Sequence, residues 1–159
     1  MSTNRETRLV VICGLPGAGK TTHGMTLADE LGGVRFSPDE WMETLAISLW
    51  DEDSRGRIEA LQWDLAKDLL RLGQTVIIEW GTWARAERDA LRNEGRALGA
   101  SVELHYLSEP IDVLWDRIRS RGAESPAIQR EDLEAWVGAF EPPTQEEMGL
   151  YDEVYLRTS

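Results

Sequence analysis

Leu9-Val-Val-Ile-Cys13, then Gly14-Leu-Pro16-Gly17-Ala18-Gly19, then Lys20-Thr21-Thr22: this stretch decides the fold. The opening run is apolar and rich in β-branched residues, the length of a strand buried on both faces. The glycines of the middle run let the backbone turn tightly, so that successive N–H groups converge on one point. From Lys20 a helical pattern leads out and closes at Gly32-Gly33. Residues 14–21 satisfy G-x-x-x-x-G-K-[ST] at each fixed position, in the strand-loop-helix context that the pattern requires. A helix N-terminus offers its positive dipole end to an anion, and the loop N–H groups cradle it. Gly14, Pro16, Gly17, Ala18, Gly19, Lys20, Thr21 and Thr22 are therefore expected to hold nucleotide phosphates. Lys20 would reach the β- and γ-phosphates and Thr21 would offer its hydroxyl to Mg²⁺, with Thr22 as a stand-in.

Outward from this stretch, strand and helix patterns alternate. Val34–Ser37, Thr75–Glu79, Ser101–Leu107 and Glu153–Arg157 read as further strands, the last at an edge. Helices are expected over Thr21–Leu31, Pro38 to about Trp50, Ser54–Leu72, Thr82–Leu98, Ile111–Arg121 and Asp132–Phe140. Ile58, Leu61, Leu65, Leu69 and Leu72 recur at three- and four-residue steps, which is the helical period. Alternation of this kind implies βαβ units and an α/β fold with a five-stranded parallel sheet covered by helices on both faces. Residues 1–159 are expected to form one domain, with the stretch Gly122–Gln129 as its mobile loop.

Composition narrows the function. A chain of 159 residues is long enough to bury a core. Its net charge of −12 repels a nucleic-acid duplex, so a polymer substrate is disfavoured while a local basic cleft for a small anion is not. The single cysteine, Cys13, excludes an internal disulfide and reads as a buried apolar residue. The polar start, residues 1–8, has no apolar run of a secretory signal, and no run reaches the roughly 20 residues of a membrane span. A cytoplasmic location is the expectation. His23 and His105 lack a second ligand at metal spacing in the sequence.

Beyond the loop, Ser37-Pro-Asp39-Glu-Trp41 follows the second strand. Residues past strand carboxyl ends line the crevice of an open α/β sheet. A carboxylate there accepts a proton from an attacking hydroxyl, although Ser37 also suits a helix cap and Asp39 a first turn. Arg117 and Arg121 are four apart and share one helix face, in the densest basic cluster of an acidic chain. Cationic donors of this kind stabilise a transferring phosphoryl group. Arg119 points elsewhere. Trp80 and Trp83 follow the third strand, and with Trp41 they suit the aromatic wall of a small-acceptor pocket, whereas Trp63 and Trp115 read as core. Arg88, Arg92 and Arg96 form a stripe of the kind usually solvated and salt-bridged.

Taken in order, Gly14–Thr21, Arg35-Phe-Ser-Pro-Asp39, Val76-Ile-Ile-Glu79 with Arg88, Arg117 with Arg121, and Phe140-Glu-Pro-Pro143 resemble the small P-loop kinases. These AAA-type ATP-binding proteins include the polynucleotide 5′-hydroxyl kinase domain, chloramphenicol phosphotransferase and the zeta-toxin sugar kinases. The resemblance spans nearly the whole chain. It implies a nucleotide-kinase fold with a small helical lid, about 117–130, and transfer of the γ-phosphate of ATP, with Mg²⁺, to a hydroxyl. It implies Asp39 as general base, with Lys20, Arg117 and Arg121 as the other catalytic residues and the two arginines on the ATP phosphates. Arg88 would face the acceptor beside Asp39, Trp41, Trp80 and Trp83, and Glu79 would join Thr21 at the metal. Two departures stand out. Met42 replaces an arginine that holds a substrate phosphate, which argues against a nucleotide 3′-phosphate. Glu79 stands where many relatives carry Asp. A small-molecule acceptor is the first expectation. A polynucleotide 5′-hydroxyl and an ATP-driven regulatory switch are the alternatives.

Overall fold

In the computed structural model, residues 6–158 are described; the N-terminal part of the polar run read above, residues 1–5, lies outside them. Five parallel strands form one sheet in the order β2-β3-β1-β4-β5. These are β1 (Arg8–Cys13), β2 (Val34–Phe36), β3 (Thr75–Gly81), β4 (Ser101–Ser108) and β5 (Glu153–Thr158). Leu9, Val10, Val11, Ile12 and Cys13 in the central strand have no exposed surface. Each large apolar side chain so buried stabilises the fold by roughly 1.5–3 kcal/mol relative to exposure.

Side chains alternate across β1, so its odd and even residues feed two cores. Leu9, Val11 and Cys13 pack with Phe36, Val76 and Ile78 against α3 (Glu52–Arg71) and α4 (Arg85–Ala97). Val10 and Ile12 pack with Ile77 against α1 (Lys20–Leu31), α5 (Ile111–Arg121) and α6 (Arg130–Ala139). Helices thus cover both faces, and the carboxyl ends of β1, β2 and β3 open onto one crevice. No helix among the described residues is long and apolar enough to cross a membrane.

Several boundaries differ from expectation. Helix α3 starts two residues early, at Glu52, where the Asp51 side chain accepts from Ser54 N–H, and β3 runs two residues further, to Gly81. Three more have a clear local reason. The helix from Pro38, α2, ends at Thr44 rather than near Trp50. Ala46 takes a left-handed conformation (φ 57°), Ile47 N–H donates to the Met42 carbonyl at 2.8 Å and Ala46 N–H to the Glu43 carbonyl at 3.1 Å. This is a complete C-terminal cap built without glycine. Helix α4 starts at Arg85 rather than Thr82, because Gly81 and Thr82 both have positive φ (92° and 43°) and cannot begin a helix. Helix α6 starts two residues earlier than expected: Gln129 and Asp132 form a reciprocal capping box around its first turn. A short helix, α7 (Gln145–Met148), has no counterpart in the sequence reading.

Candidate active site

A cleft of about 970 Å³ opens at the carboxyl end of the sheet. Its floor is the loop between β1 and α1. Gly17 and Gly19 have φ of 84° and 93°, conformations that L side chains rarely adopt. A Cβ on Gly14 would lie 2.9 Å from the Leu107 carbonyl oxygen, so only glycine fits there. Three cationic side chains take the carbonyl groups of this loop. Lys20 Nζ donates to Leu15 at 2.9 Å, Arg117 Nη1 to Gly17 at 3.1 Å and Arg157 Nη2 to Ala18 at 2.9 Å. Lys20, Thr21 and Thr22 at the start of α1 also line the cleft. Burial pulls the Lys20 ammonium down to about 8, against the pull of Asp39 and Glu79.

Most of the other expected site residues converge on this space. Asp39, Glu79, Trp80, Trp83, Arg117 and Arg121 all line it. Ser37 occupies the cap position of α2 but makes no side-chain capping bond; its carbonyl accepts from Gln62 Nε2 at 3.1 Å. Arg121 also pairs with Glu124 at 3.1 Å. Arg119 pairs instead with Asp116 and lies over the Trp115 ring, away from the cleft. Trp80 Nε1 donates to Gln62 Oε1 at 2.9 Å, which fixes that ring against the wall.

Two expected acceptor residues do not line the cleft. Trp41 is partly buried and packs on the core 6.3 Å from the Phe36 ring. Arg88 is fully buried. Its Nε and Nη2 grip both oxygens of Glu147 at 2.7 and 2.8 Å, and its Nη1 and Nη2 donate to the carbonyl groups of Thr82 and Glu141. Every donor direction is used inside the fold, leaving none for an acceptor. The stripe to which it belongs is salt-bridged, through Arg92–Asp89 and Arg96–Asp152, but solvated only at Arg96. Arg92 is buried under Tyr151, and Arg96 donates to the Leu150 carbonyl, so the stripe holds the segment 141–152 against α4.

Arg55 in α3 was not singled out in the sequence and is central here. Its Nη1 lies 2.6 Å from Asp39 Oδ1, its Nη2 donates to the Leu49 carbonyl, and it lines the cleft. Met42, at the position of the missing arginine, is fully buried, so Arg55 brings the guanidinium to Asp39 from another helix. Trp50 and Trp136 were missed as well. With Trp83 they form a wall, their ring centres 6.0 Å (Trp50–Trp136) and 6.1 Å (Trp83–Trp136) apart.

Glu79 is buried at the end of β3. Its Oε2 pairs with Arg35, which also reaches Glu40, while Oε1 is buried without a hydrogen-bond partner. Burial pushes its carboxyl pKa up, and Arg35 and Thr21 oppose that. Gly24 makes room for the pair: a Cβ there would lie 3.0 Å from Glu79 and Arg35. A glycine inside a helix costs about 1 kcal/mol against alanine, so it was a legible signal of close approach. The orphaned Glu79 oxygen beside the Thr21 hydroxyl suits Mg²⁺, which takes one or two protein ligands and completes its shell with phosphate and water. Among the described residues no group of three or more His, Cys, Asp or Glu side chains could hold a metal by itself. His23 and His105 nevertheless meet, Nε2 to Nδ1 at 2.8 Å. Burial pushes the Cys13 thiol up to about 11, away from nucleophile range.

The AAA domain family matches residues 9–143. No curated protein matches the sequence significantly. Among solved structures, a protein of Chloroflexus aurantiacus J-10-fl superposes with a TM-score of 0.76 at 22% identity, over 99% of this chain and 87% of that one. Kti12 of Chaetomium thermophilum, solved with ADP-AlF3, gives 0.72 at 19% identity, over 94% and 88%. A sugar kinase of Janibacter sp. HTCC2649 gives 0.65 at 26% identity, over 95% and 84%.

Proposed function

We propose that this chain, which belongs to the AAA domain family, is a kinase that moves the γ-phosphoryl group of ATP onto a hydroxyl of a small molecule. One observation carries the reading: a single cleft is lined by Lys20 and Thr21 of the phosphate loop, by Arg117 and Arg121, and by the Asp39–Arg55 pair. The likeness to a sugar kinase supports a hydroxylated acceptor.

Each residue then has a task. The loop backbone from Gly14 to Gly19, with Lys20 and the N-terminus of α1, binds the phosphates. Thr21 and Glu79 would hold Mg²⁺, which neutralises charge on the β- and γ-oxygens when bound. Asp39, oriented by Arg55, accepts the proton of the acceptor hydroxyl as its oxygen bonds to the γ-phosphorus. The bond from that phosphorus to the bridging oxygen breaks, and its electron pair leaves on ADP. Lys20, Arg117 and Arg121 stabilise charge on the transferring group. Residues 117–130 serve as the lid of this single domain, and Glu124 and Ile128 from that stretch line the cleft, as does Trp136 of α6. Trp50 Nε1 donates to the Pro126 carbonyl at 2.6 Å, which ties the same stretch to the acceptor side. A polynucleotide acceptor fits less well, because buried Met42 offers no cation to a substrate phosphate.

The test is acceptor-dependent conversion of ATP to ADP with Mg²⁺, over a panel of hydroxylated compounds and one 5′-hydroxyl oligonucleotide. Asp39→Asn should keep ATP binding and lose turnover by a factor on the order of 10²–10⁴. Turnover unchanged by that substitution would remove Asp39 as the base. Tight ATP binding with no acceptor-dependent turnover would favour a regulatory switch.

A further inference from the structure

The two ends of the cleft differ in charge. At the phosphate end Lys20, Arg117 and Arg121 supply cations, and the two carboxylates there, Glu79 and Glu124, are paired with Arg35 and Arg121. At the acceptor end stand four carboxylates, Asp39, Glu52, Glu59 and Glu87, and one cation, Arg55. Arg55 is committed to Asp39 and to the Leu49 carbonyl. Among the described residues, the side chains of Glu52, Glu59 and Glu87 make no ion pair or hydrogen bond. Glu52 and Glu87 stand in the first turns of α3 and α4, where the helix dipole favours a negative charge. Glu59 stands two turns into α3 and lacks that explanation. Burial, followed by repulsion from Glu87, raises its pKa to about 7, and Arg55 only partly opposes this.

Aromatic side chains accompany these carboxylates at the same end of the cleft. Four tryptophans, Trp50, Trp80, Trp83 and Trp136, line the cleft with the carboxylates. Carboxylates interleaved with aromatic faces suit an ammonium group, which is drawn both to the anions and to the ring quadrupoles. An acidic acceptor would instead be repelled by every unpaired carboxylate at this end.

We propose that the acceptor carries a protonated amine, as an amino alcohol or amino sugar whose hydroxyl meets Asp39 while its ammonium group sits among Glu52, Glu59 and Glu87 against the tryptophan faces. This rests on the kinase reading above.

The test uses compounds matched in size and differing in charge: glucosamine, glucose and gluconate, then serinol, glycerol and glycerate. Binding is read from quenching of tryptophan fluorescence in low salt, and phosphate transfer from ATP is read separately. Each amine should bind about tenfold more tightly than its neutral counterpart, with the acid weakest. The double substitution Glu59→Gln, Glu87→Gln should erase that advantage, with retained ATP binding as the check on folding. Amines that bind no better than the neutral compounds, or that fail to bind at all, overturn the inference. If amines bind as expected but receive no phosphate, the charge assignment stands and the kinase reading falls. If a neutral or acidic alcohol is phosphorylated in preference, the kinase reading stands and this inference falls.

Discussion

Lys20 holds its ammonium group against the Leu15 carbonyl, buried enough that its pKa falls to about 8. A bound polyphosphate stabilises the charged form, so the pKa must rise on binding. At pH 8 the free protein carries about half a proton on Lys20, and the complex carries the whole one. Nucleotide binding at pH 8 should therefore take up about half a proton, measured by calorimetry in buffers of different ionisation enthalpy. Near pH 6 the lysine is charged in both states and its contribution vanishes. No uptake at pH 8 would mean that Lys20 does not face the phosphates. At this scale the phosphate loop was legible because its chemistry needs fixed residue types at fixed spacing. Arg55 was not legible. It reaches Asp39 across two helices, and an isolated arginine in an amphipathic helix carries no local mark of its partner. Arg157, on the phosphate loop from the last strand, is another such case. Arg88 misled in the opposite direction, because its order along the chain matched a pattern while its side chain was spent on Glu147.

Element boundaries failed where the ordinary punctuation was absent. Helix α2 ends in a cap that normally advertises itself with glycine, and here alanine stands at the left-handed position. Left-handed backbone costs an alanine roughly 1–2 kcal/mol, partly offset by the entropy that glycine loses on folding. Ala46 is exposed, so nothing else changes on substitution. Ala46→Gly should raise unfolding free energy by about 0.5–1 kcal/mol, read from urea denaturation. The junction of β3 and α4 is strained in the same sense, with Thr82 at φ 43°, buried and held by Arg88 through its carbonyl. Glu147 closes that lock from the C-terminal segment, and both side chains of the pair are fully buried. Glu147→Gln leaves Arg88 buried with its charge uncompensated. It should cost about 3–5 kcal/mol, the usual penalty for breaking a buried pair by one partner. A loss below 1 kcal/mol would show that the segment 141–152 is not locked through this pair. The strands, by contrast, were legible: β1 and β3 as short β-branched apolar runs and β4 as an alternating run, with β2 as a shorter run of strand-forming residues between helical patterns and β5 as one beyond the last of them.

For the whole molecule, two partly buried groups set opposing responses to pH. His23 is held down to about 4, chiefly by burial and then by His105. Below its ordinary value of about 6.5 the unfolded chain takes up a proton that the folded chain refuses. This contribution to stability is present above 6.5 and lost as pH falls through 4. Glu59 is held up to about 7. Above its ordinary value near 4.5 the unfolded chain gives up a proton that the folded chain keeps. Its contribution is present below 4.5 and lost as pH rises through 7. Between pH 4.5 and 6.5 the two slopes have opposite signs and offset each other. Glu79 and Glu87, also raised by burial, slope the same way as Glu59, so each substitution is read as a change in slope. Glu59→Gln should make stability rise more, or fall less, with pH across that window than in the parent, and His23→Gln should make it fall more steeply. Glu59→Gln should also be more stable than the parent at pH 8, where the parent bears the full repulsion of Glu59 with Glu87, Glu52 and Asp39, and the difference should close below pH 4.5. Denaturation midpoints at pH 4.5, 5.5, 6.5 and 8 check all three statements. Parallel profiles for the parent and both variants would mean that neither side chain keeps its buried environment in solution, and the acceptor end of the cleft would then be more open than its carboxylates imply.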